Sequence, residues 1–170
     1  MDNIDKEGGN VYSILGMISH INDFPQDLEG KKVAVIGGGA VGLDVVEFFA
    51  ARKADISIVE MMDQIAKEES NTILPTLMRE LEHYNVQIVT SAKLSEIKDD
   101  SVVVEKTIDD NTSTEEIASD FVVMAVGARK NLPELSDCPL PLHYIGDCAG
   151  ERPSNIEHAI KSAYDVACEI

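Results

Sequence analysis

The segment KKVAVIGGGAVG, residues 31–42, constrains the fold more than any other part of the sequence. Two lysines lead into an apolar run, Val33 to Ile36, that has no polar alternation. Such a run is typical of a parallel strand that is covered on both faces. Glycines follow at once, and a helical pattern then extends from Ala40 to Arg52. The segment therefore predicts a buried strand, a tight glycine turn and a helix in direct succession.

Three of these glycines form the pattern G-x-G-x-x-G, and each has a separate physical reason. Gly37 permits a tight turn at the strand end, and Gly39 lets a diphosphate approach backbone that carries no Cβ. Gly42 lets the helix pack closely against the strand. The N–H groups and the dipole at the start of the helix then favour an anion. Glycine-rich turns also arise for other reasons, so this pattern is weak without its context.

An acidic residue at the end of the next strand supplies that context. The segment Asp55 to Glu60 predicts a second strand, and Glu60 lies at about the 20-residue distance at which a carboxylate binds an adenine ribose. Such a carboxylate would repel the 2′-phosphate of NADP, and Met61, Met62 and Asp63 follow it instead of Arg or Lys. The pattern favours NAD(H) over NADP(H). The alternative is a simple strand–helix turn with a solvated Glu60, which requires all four elements to coincide by chance.

The remaining pattern predicts an α/β fold in which a βαβαβ half is followed by an antiparallel meander. The glycine segment and Asp55 to Glu60 supply its first two strands. The further predicted elements are a helix at Val11–Ile21, a helix capped by Ser70, Asn71 or Thr72 and ending near Tyr84, a strand at Val86–Thr90, three short strands with turns at Asp99–Asp100 and Asp109–Asn111, a strand at Phe121–Val126, a loop at 129–142, a strand at His143–Asp147 and a closing helix at Ser154–Ile170.

Composition excludes several classes of partner. The formal net charge of the 170 residues is -17, which argues against nucleic acid and against anionic lipid surfaces. The three cysteines, Cys138, Cys148 and Cys168, form no CxxC pair, so neither a disulfide framework nor a four-cysteine metal site is expected. No apolar stretch approaches the roughly 20 residues of a membrane span, and a reducing cytoplasm is the expected location. The histidines are isolated, and the sequence predicts neither a catalytic side chain nor a metal site.

Two later segments extend the pattern beyond one glycine motif. They are AVGAR, residues 125–129, and YIGDCAG, residues 144–150. With GGGAVG and Glu60, in this order, they resemble the two-dinucleotide pyridine nucleotide reductases, and in particular the C-terminal NAD(P)/FAD-binding region of old-yellow-enzyme-type NADH:flavin oxidoreductases. That group contains 2-enoate and 2,4-dienoyl-CoA reductases. The resemblance covers about residues 11–170. Its members have two glycine motifs and an FMN-binding barrel, so we expect this chain to be a C-terminal piece of a longer enzyme.

The resemblance implies a Rossmann-like parallel sheet flanked by helices, with an antiparallel β-meander crossover and a partial FAD-domain segment. It divides the chain into an N-terminal helix and linker from the FAD domain (1–29), an NAD(H)-binding domain (30–128) and a return segment (129–170). The domain would position nicotinamide for hydride transfer to FAD, with the FAD-binding and FMN-barrel regions of the full-length protein as its partners. The implied cofactor-binding residues are Gly37, Gly39, Ala40, Val41, Gly42 and Glu60 for NADH, Gly127 near the nicotinamide half, and Gly146 and Asp147 for FAD.

Two alternatives remain open from the residues themselves. In the first, the chain is a stand-alone NAD(H)-binding regulatory module without turnover. In the second, GGGAVG binds FAD and Asp147 completes that same site. The Glu60 carboxylate does not separate these alternatives from the leading hypothesis, because FAD also contains an adenosine half whose ribose it could bind.

Overall fold

The structure is a computed structural model that describes residues 3–67, 69–108, 111–132, 135, 137–150 and 156–169. These residues belong to two compact units, Met1–Val126 and Gly127–Ile170. Among the described residues, the first unit contains two sheets and three helices, and the second contains a 3-10 turn and one helix. The architecture is α/β, as the sequence predicts.

The elements of the first unit follow one another in the predicted alternation, with one additional strand at the start. They are β1 (Val11–Ser13), α1 (Ile14–Ser19), β2 (Lys32–Ile36), α2 (Ala40–Ala50), β3 (Asp55–Val59), α3 (Leu74–His83), β4 (Gln87–Val89), β5 (Ala92–Ile97), β6 (Ser101–Ile108), β7 (Asn111–Ala118) and β8 (Phe121–Met124).

The larger sheet has five parallel strands in the order β1-β8-β2-β3-β4. Strands β2, β3 and β4 with helices α2 and α3 form the predicted βαβαβ half. Because neighbouring strands are parallel, the residues that follow β2, β3 and β8 all lie at the same edge of the sheet. The glycine turn, Glu60 and Ala125 therefore meet at this edge.

The β-meander, strands β5 to β7, is an antiparallel sheet of its own. It covers one face of the parallel sheet, and helices α1, α2 and α3 cover the other. Val33 and Val35 pack with Phe49 on the helical side, whereas Ala34 and Ile36 pack on the side of the meander. The prediction that β2 is buried on both faces is confirmed.

The chain's four phenylalanines form one aromatic cluster on the helical side of the sheet. The ring of Phe24 lies 5.3 Å from that of Phe49, 5.8 Å from that of Phe48 and 5.8 Å from that of Phe121. Phe49 is fully buried, whereas Phe48 is half-buried beneath the guanidinium of Arg52. This cluster joins α2 to β8 and to the segment before β2.

The predicted helix at Val11–Ile21 is wrong over its first three residues, which form the edge strand β1 beside β8. The helix that follows ends at Ser19 and begins after Ser13, whose Oγ accepts a hydrogen bond from the Gly16 N–H. Side-chain periodicity does not reveal this boundary, because an apolar residue at position 11 satisfies both patterns. The helical spacing also predicts one apolar face, made of Val11, Ile14, Leu15, Ile18 and Ile21. This prediction is wrong in part, since Leu15, Ile18 and Ile21 are exposed.

Two further predictions need correction. Helix α3 begins at Leu74 after Ile73, and none of the three predicted cap residues, Ser70, Asn71 and Thr72, caps it with its side chain. The spacing of its apolar residues predicts one buried face, made of Leu74, Leu77, Met78 and Leu81, but Met78 is exposed. The predicted strand at His143–Asp147 does not form, because residues 143–145 are irregular and a 3-10 turn, Gly146–Cys148, follows. A strand needs a neighbour to pair with, which a local apolar pattern does not provide.

Other predicted elements are present with shorter bounds. The meander strands confirm the turn at Asp99–Asp100, whereas the centre of the turn predicted at Asp109–Asn111 lies outside the described residues. The described residues of the 129–142 loop contain neither helix nor strand. In the second unit, α4 (Ile156–Glu169) corresponds to the predicted closing helix, whose ends at Ser154 and Ile170 are not described.

At the opposite edge of the parallel sheet, Asp120 joins the starts of β2 and β8. Its Oδ2 accepts a hydrogen bond from the Lys32 N–H at 2.8 Å, and its Oδ1 lies 2.9 Å from the Lys31 ammonium. These two contacts, the N–H first, hold the pKa of the Asp120 carboxyl below its ordinary value. A carboxylate held in this way stabilises the folded protein only while it is ionised.

Replacing Asp120 with Asn should therefore lower the free energy of unfolding at neutral pH but not in strong acid. The stabilisation by Asp120 is complete above the pKa of about 3.9 of an unfolded aspartate, and it is lost as the pH falls through the lower folded-state value. Urea unfolding over a pH series measures the difference between the two proteins. The charge-matched control is Glu7→Gln at an exposed position. A difference that stays constant down to strong acid would contradict the prediction.

Candidate functional site

The glycine turn after β2 leaves no room for side chains at Gly37 and Gly42. Gly37 has a φ of +111°, and a Cβ there would collide with the backbone carbonyl of Ala125 at the end of β8. A Cβ at Gly42, in the first turn of α2, would collide with the carbonyl oxygen of Gly37. Both positions therefore support the predicted roles of a tight turn and of close helix packing.

Gly39 differs from these two glycines, because nothing in the protein lies within 4 Å of the position that its Cβ would take. It is the N-cap residue of α2 in extended backbone, and no side chain caps the helix there. Ala40 and Val41 follow it on the exposed first turn. The start of a helix presents N–H groups without intrahelical partners, and together with the helix dipole these favour an anion.

Glu60 follows β3 directly, and its carboxylate contacts the glycine turn. Oε2 accepts a hydrogen bond from the Gly38 N–H at 2.7 Å, and Oε1 accepts one from the Met62 N–H at 2.8 Å. The side chain is half-buried. The structure thus brings the predicted acidic residue and the predicted glycines together, with a contact between them that the sequence does not predict.

Residues 61–67, which we call the β3 loop, fold back over Gly38. The Ala66 N–H donates to the Gly38 carbonyl at 2.8 Å, and a Cβ at Gly38 would collide with the Ile65 side chain. Ile65 and Ala66 are both buried. Sequence reasoning missed these two residues, because neither residue type carries a charge or a donor that marks it as part of a site.

The other predicted site residues, Gly127, Gly146 and Asp147, belong to the second unit. Gly127 is its first residue and is exposed. Gly146 and Asp147 lie in the 3-10 turn, where the Gly146 N–H donates to Ser162 Oγ on α4 at 2.8 Å. The second unit therefore forms a small turn–helix motif around Gly146.

The first unit offers a coherent set of groups for a dinucleotide. Backbone N–H groups at the start of α2 suit a diphosphate. The open space at Gly39 allows the diphosphate to approach these groups. The Glu60 carboxylate suits vicinal hydroxyls. The residues present therefore fit the adenosine diphosphate half that NAD(P) and FAD share.

The described residues contain no group of three or more His, Cys, Asp or Glu side chains that could hold a metal ion. No helix in the described part of the chain is long and apolar enough to cross a membrane.

Comparison with known proteins extends this picture. The family model for pyridine nucleotide-disulphide oxidoreductases matches residues 3–144. Bilirubin reductase from Mediterraneibacter gnavus is 39% identical over 142 residues, which are 82% of this chain and 21% of that protein. The dihydrolipoyl dehydrogenase of Geobacillus stearothermophilus is 31% identical over 62% of this chain and 22% of its own length.

Solved structures of low sequence identity share the fold. Histamine dehydrogenase from Rhizobium sp. 4-9 has a TM-score of 0.75 at 20% identity, covering 98% of this chain and 27% of its own. A 2-naphthoyl-CoA reductase has a TM-score of 0.70 at 22% identity, covering 94% of this chain and 23% of its own. The chain thus spans between a fifth and a third of the length of these four proteins.

The family model covers both the parallel sheet and the meander, together with the glycine turn and Glu60. Proteins of this family are oxidoreductases that bind FAD and NAD(P). The chain belongs to the pyridine nucleotide-disulphide oxidoreductase family.

Proposed function

We propose that this chain is the NADH-binding domain of a flavin-dependent oxidoreductase, and that it positions nicotinamide for hydride transfer to FAD. The observation that carries the proposal is the open approach at Gly39, above a helix start that no side chain caps, with the Glu60 carboxylate beside it. Gly37 and Gly42, by contrast, have backbone atoms where their Cβ would lie.

Each part of the dinucleotide would have its own contacts. Gly39, Ala40 and Val41 would donate backbone N–H groups to the diphosphate, while Gly37 and Gly42 keep the turn compact. Glu60 would accept hydrogen bonds from the adenine ribose hydroxyls. Both of its oxygens already accept one backbone hydrogen bond, and a carboxylate has about four acceptor sites, so about two remain.

The charges of the β3 loop support NAD(H) over NADP(H). Lys67 is the first basic residue after Glu60 in the chain, and its ammonium lies 3.4 Å from Asp63 Oδ1. A 2′-phosphate on the ribose would therefore face the Glu60 carboxylate, with the nearest lysine of that loop already paired.

Replacing Glu60 with Arg should raise the ratio of NADPH affinity to NADH affinity by at least about 10-fold. The change turns a repulsive charge contact with the 2′-phosphate into an attractive one, and about 1.4 kcal/mol corresponds to a factor of ten. Isothermal titration calorimetry with both dinucleotides measures the ratio, which cancels a general loss of affinity. Glu47→Arg on the exposed side of α2 is the matched charge reversal. An unchanged ratio would count against contact between Glu60 and the ribose.

The flavin side of the proposal rests on the second unit and on the family. Gly146 and Asp147 would contact FAD, and Gly127 would lie near the nicotinamide. Residues 1–29 and 129–170 of this chain would belong to the enzyme's FAD domain, and residues 30–128 would form the NAD(H)-binding domain. When bound, FAD accepts the hydride and NADH supplies it, so the protein's share is orientation. The partners would be the FAD-binding and FMN-barrel regions of a longer cytoplasmic protein.

Binding measurements on the purified chain separate this proposal from its alternatives. A colourless protein that binds NADH, and that oxidises NADH only when the flavin-containing regions are added in trans, would support the proposal. NADH binding without such activity would favour a regulatory module. Retention of stoichiometric FAD through gel filtration would instead assign the glycine turn to FAD. Absence of any heat with NADH or NAD from a well-folded sample would overturn the proposal.

A further inference from the structure

The peptide groups on both sides of Gly38 are fixed by groups outside the glycine turn. The Glu60 carboxylate accepts the Gly38 N–H at 2.7 Å, and the Ala66 N–H donates to the Gly38 carbonyl at 2.8 Å. In a trans peptide the carbonyl and the next N–H point in opposite directions. The contact with Ala66 therefore points the Gly39 N–H away from the β3 loop.

Glu60 fixes the β3 loop as well as the glycine turn. Its second oxygen accepts the Met62 N–H at 2.8 Å, so one carboxylate joins the two segments. Ile65 packs where a Gly38 side chain would lie, and it is buried. The turn is thus in contact with Glu60, Ile65 and Ala66 on the side of Gly38, and it is open at Gly39.

We propose that Glu60 is a positioning residue for the diphosphate contacts, in addition to the ribose contact that the proposed function gives it. Its carboxylate holds the Gly38 N–H directly. Through the Met62 N–H it also holds the β3 loop, whose contact between Ala66 and the Gly38 carbonyl sets the direction of the Gly39 N–H. This inference rests on the proposed function for its ligand. This positioning role differs from a ribose contact, because it predicts that a change at Glu60 alters the affinity for ligands that lack ribose hydroxyl groups.

Glu60→Gln tests the inference with the smallest change in shape. A glutamine side chain has one acceptor oxygen and one donor NH2, so it satisfies one of the two backbone N–H groups and leaves the other facing a donor. Asp63→Asn is the charge-matched control in the same loop, because Asp63 is paired with Lys67 at the surface. Both variants change the net charge by the same amount.

The probe is a dinucleotide whose adenosine ribose lacks the 2′- and 3′-hydroxyl groups, compared with NADH in calorimetric titrations. We expect Glu60→Gln to weaken binding of the dideoxy ligand by about 10-fold, the effect of losing one hydrogen bond to a charged group. Asp63→Asn should leave both affinities within about twofold of the parent. A Glu60→Gln protein that loses affinity for NADH but binds the dideoxy ligand as the parent does would overturn the inference.

Amide hydrogen exchange without ligand supplies an independent readout. In Glu60→Gln, the amide of Gly38 or of Met62 should exchange at least about 10-fold faster than in the parent, since one of them loses its acceptor. Unchanged exchange at both amides would overturn the inference. If the parent bound neither dinucleotide, the proposed function would fail, and the exchange comparison would still decide whether Glu60 orders the turn.

Discussion

Replacing Gly39 with Asp should lower the affinity for NADH at least about 100-fold and leave the protein at least as stable as the parent. The new side chain meets no protein atom, and its carboxylate is suited to cap α2. An aspartate cap stabilises a helix by a few tenths of a kcal/mol more than glycine does. The same carboxylate occupies the N–H groups that a diphosphate needs and repels its charge. Losing two hydrogen bonds to a charged ligand removes about 3 kcal/mol, so affinity should fall at least about 100-fold.

Calorimetric titration and urea unfolding of the same samples test both halves of this prediction. Gly42→Ala is the matched control, because its new Cβ collides with the Gly37 carbonyl oxygen. Overpacking of this kind costs about 1–3 kcal/mol of stability. The two variants should therefore be distinguished by stability, which Gly42→Ala loses and Gly39→Asp keeps while its affinity falls. A Gly39→Asp protein that binds NADH within about threefold of the parent, a change worth less than 1 kcal/mol, would contradict the proposed site.

Replacing Phe49 with Ala should lower the free energy of unfolding by about 3–5 kcal/mol. Its ring is fully buried and lies 5.3 Å from that of Phe24 and 5.1 Å from that of Phe48, so truncation leaves a cavity between α2 and the sheet. Domains of ordinary size are stable by only about 5–15 kcal/mol, so the loss is a large share of the total. Urea unfolding monitored by circular dichroism measures it.

Phe48→Ala is the control for this prediction, because the neighbouring ring is half-buried and covered by the Arg52 guanidinium, 3.6 Å from its centroid. Its removal costs less apolar burial, together with a cation–π contact worth about 0.5–1 kcal/mol at an exposed site. We expect a clearly smaller loss of stability than for Phe49→Ala. Equal losses would show that the cluster tolerates a cavity at position 49.

The central part of the fold could be predicted from the sequence because its signals are local and strong. A continuous apolar strand, glycines with separate steric roles and a helical pattern follow one another within residues 31–52, and Glu60 lies at the end of the next strand. Polar turns at regular spacing predicted the meander. Each of these features reflects a constraint on the residue itself, such as burial on two faces or a position without room for a Cβ.

The elements that sequence reasoning missed depend on partners far along the chain. Strand β1 exists because β8 pairs with it, and Val11 carries no sign of that partner. The β3 loop contacts the glycine turn through backbone groups of Gly38 and Ala66, which every residue type except proline possesses. The predicted strand at His143–Asp147 has the local pattern of a strand, but these residues pair with no neighbouring strand. Long-range pairing is therefore what the local pattern could not supply.

The collision between a Gly37 side chain and the Ala125 carbonyl has a consequence for assembly. The wall of the glycine turn is built at the end of the last strand of the parallel sheet, which follows the entire meander in sequence. During synthesis the turn therefore cannot acquire its final shape until the chain has been completed through residue 126 and β8 has inserted between β1 and β2. A dinucleotide bound there would in turn favour the inserted strand, so occupancy should protect the centre of the sheet against local opening.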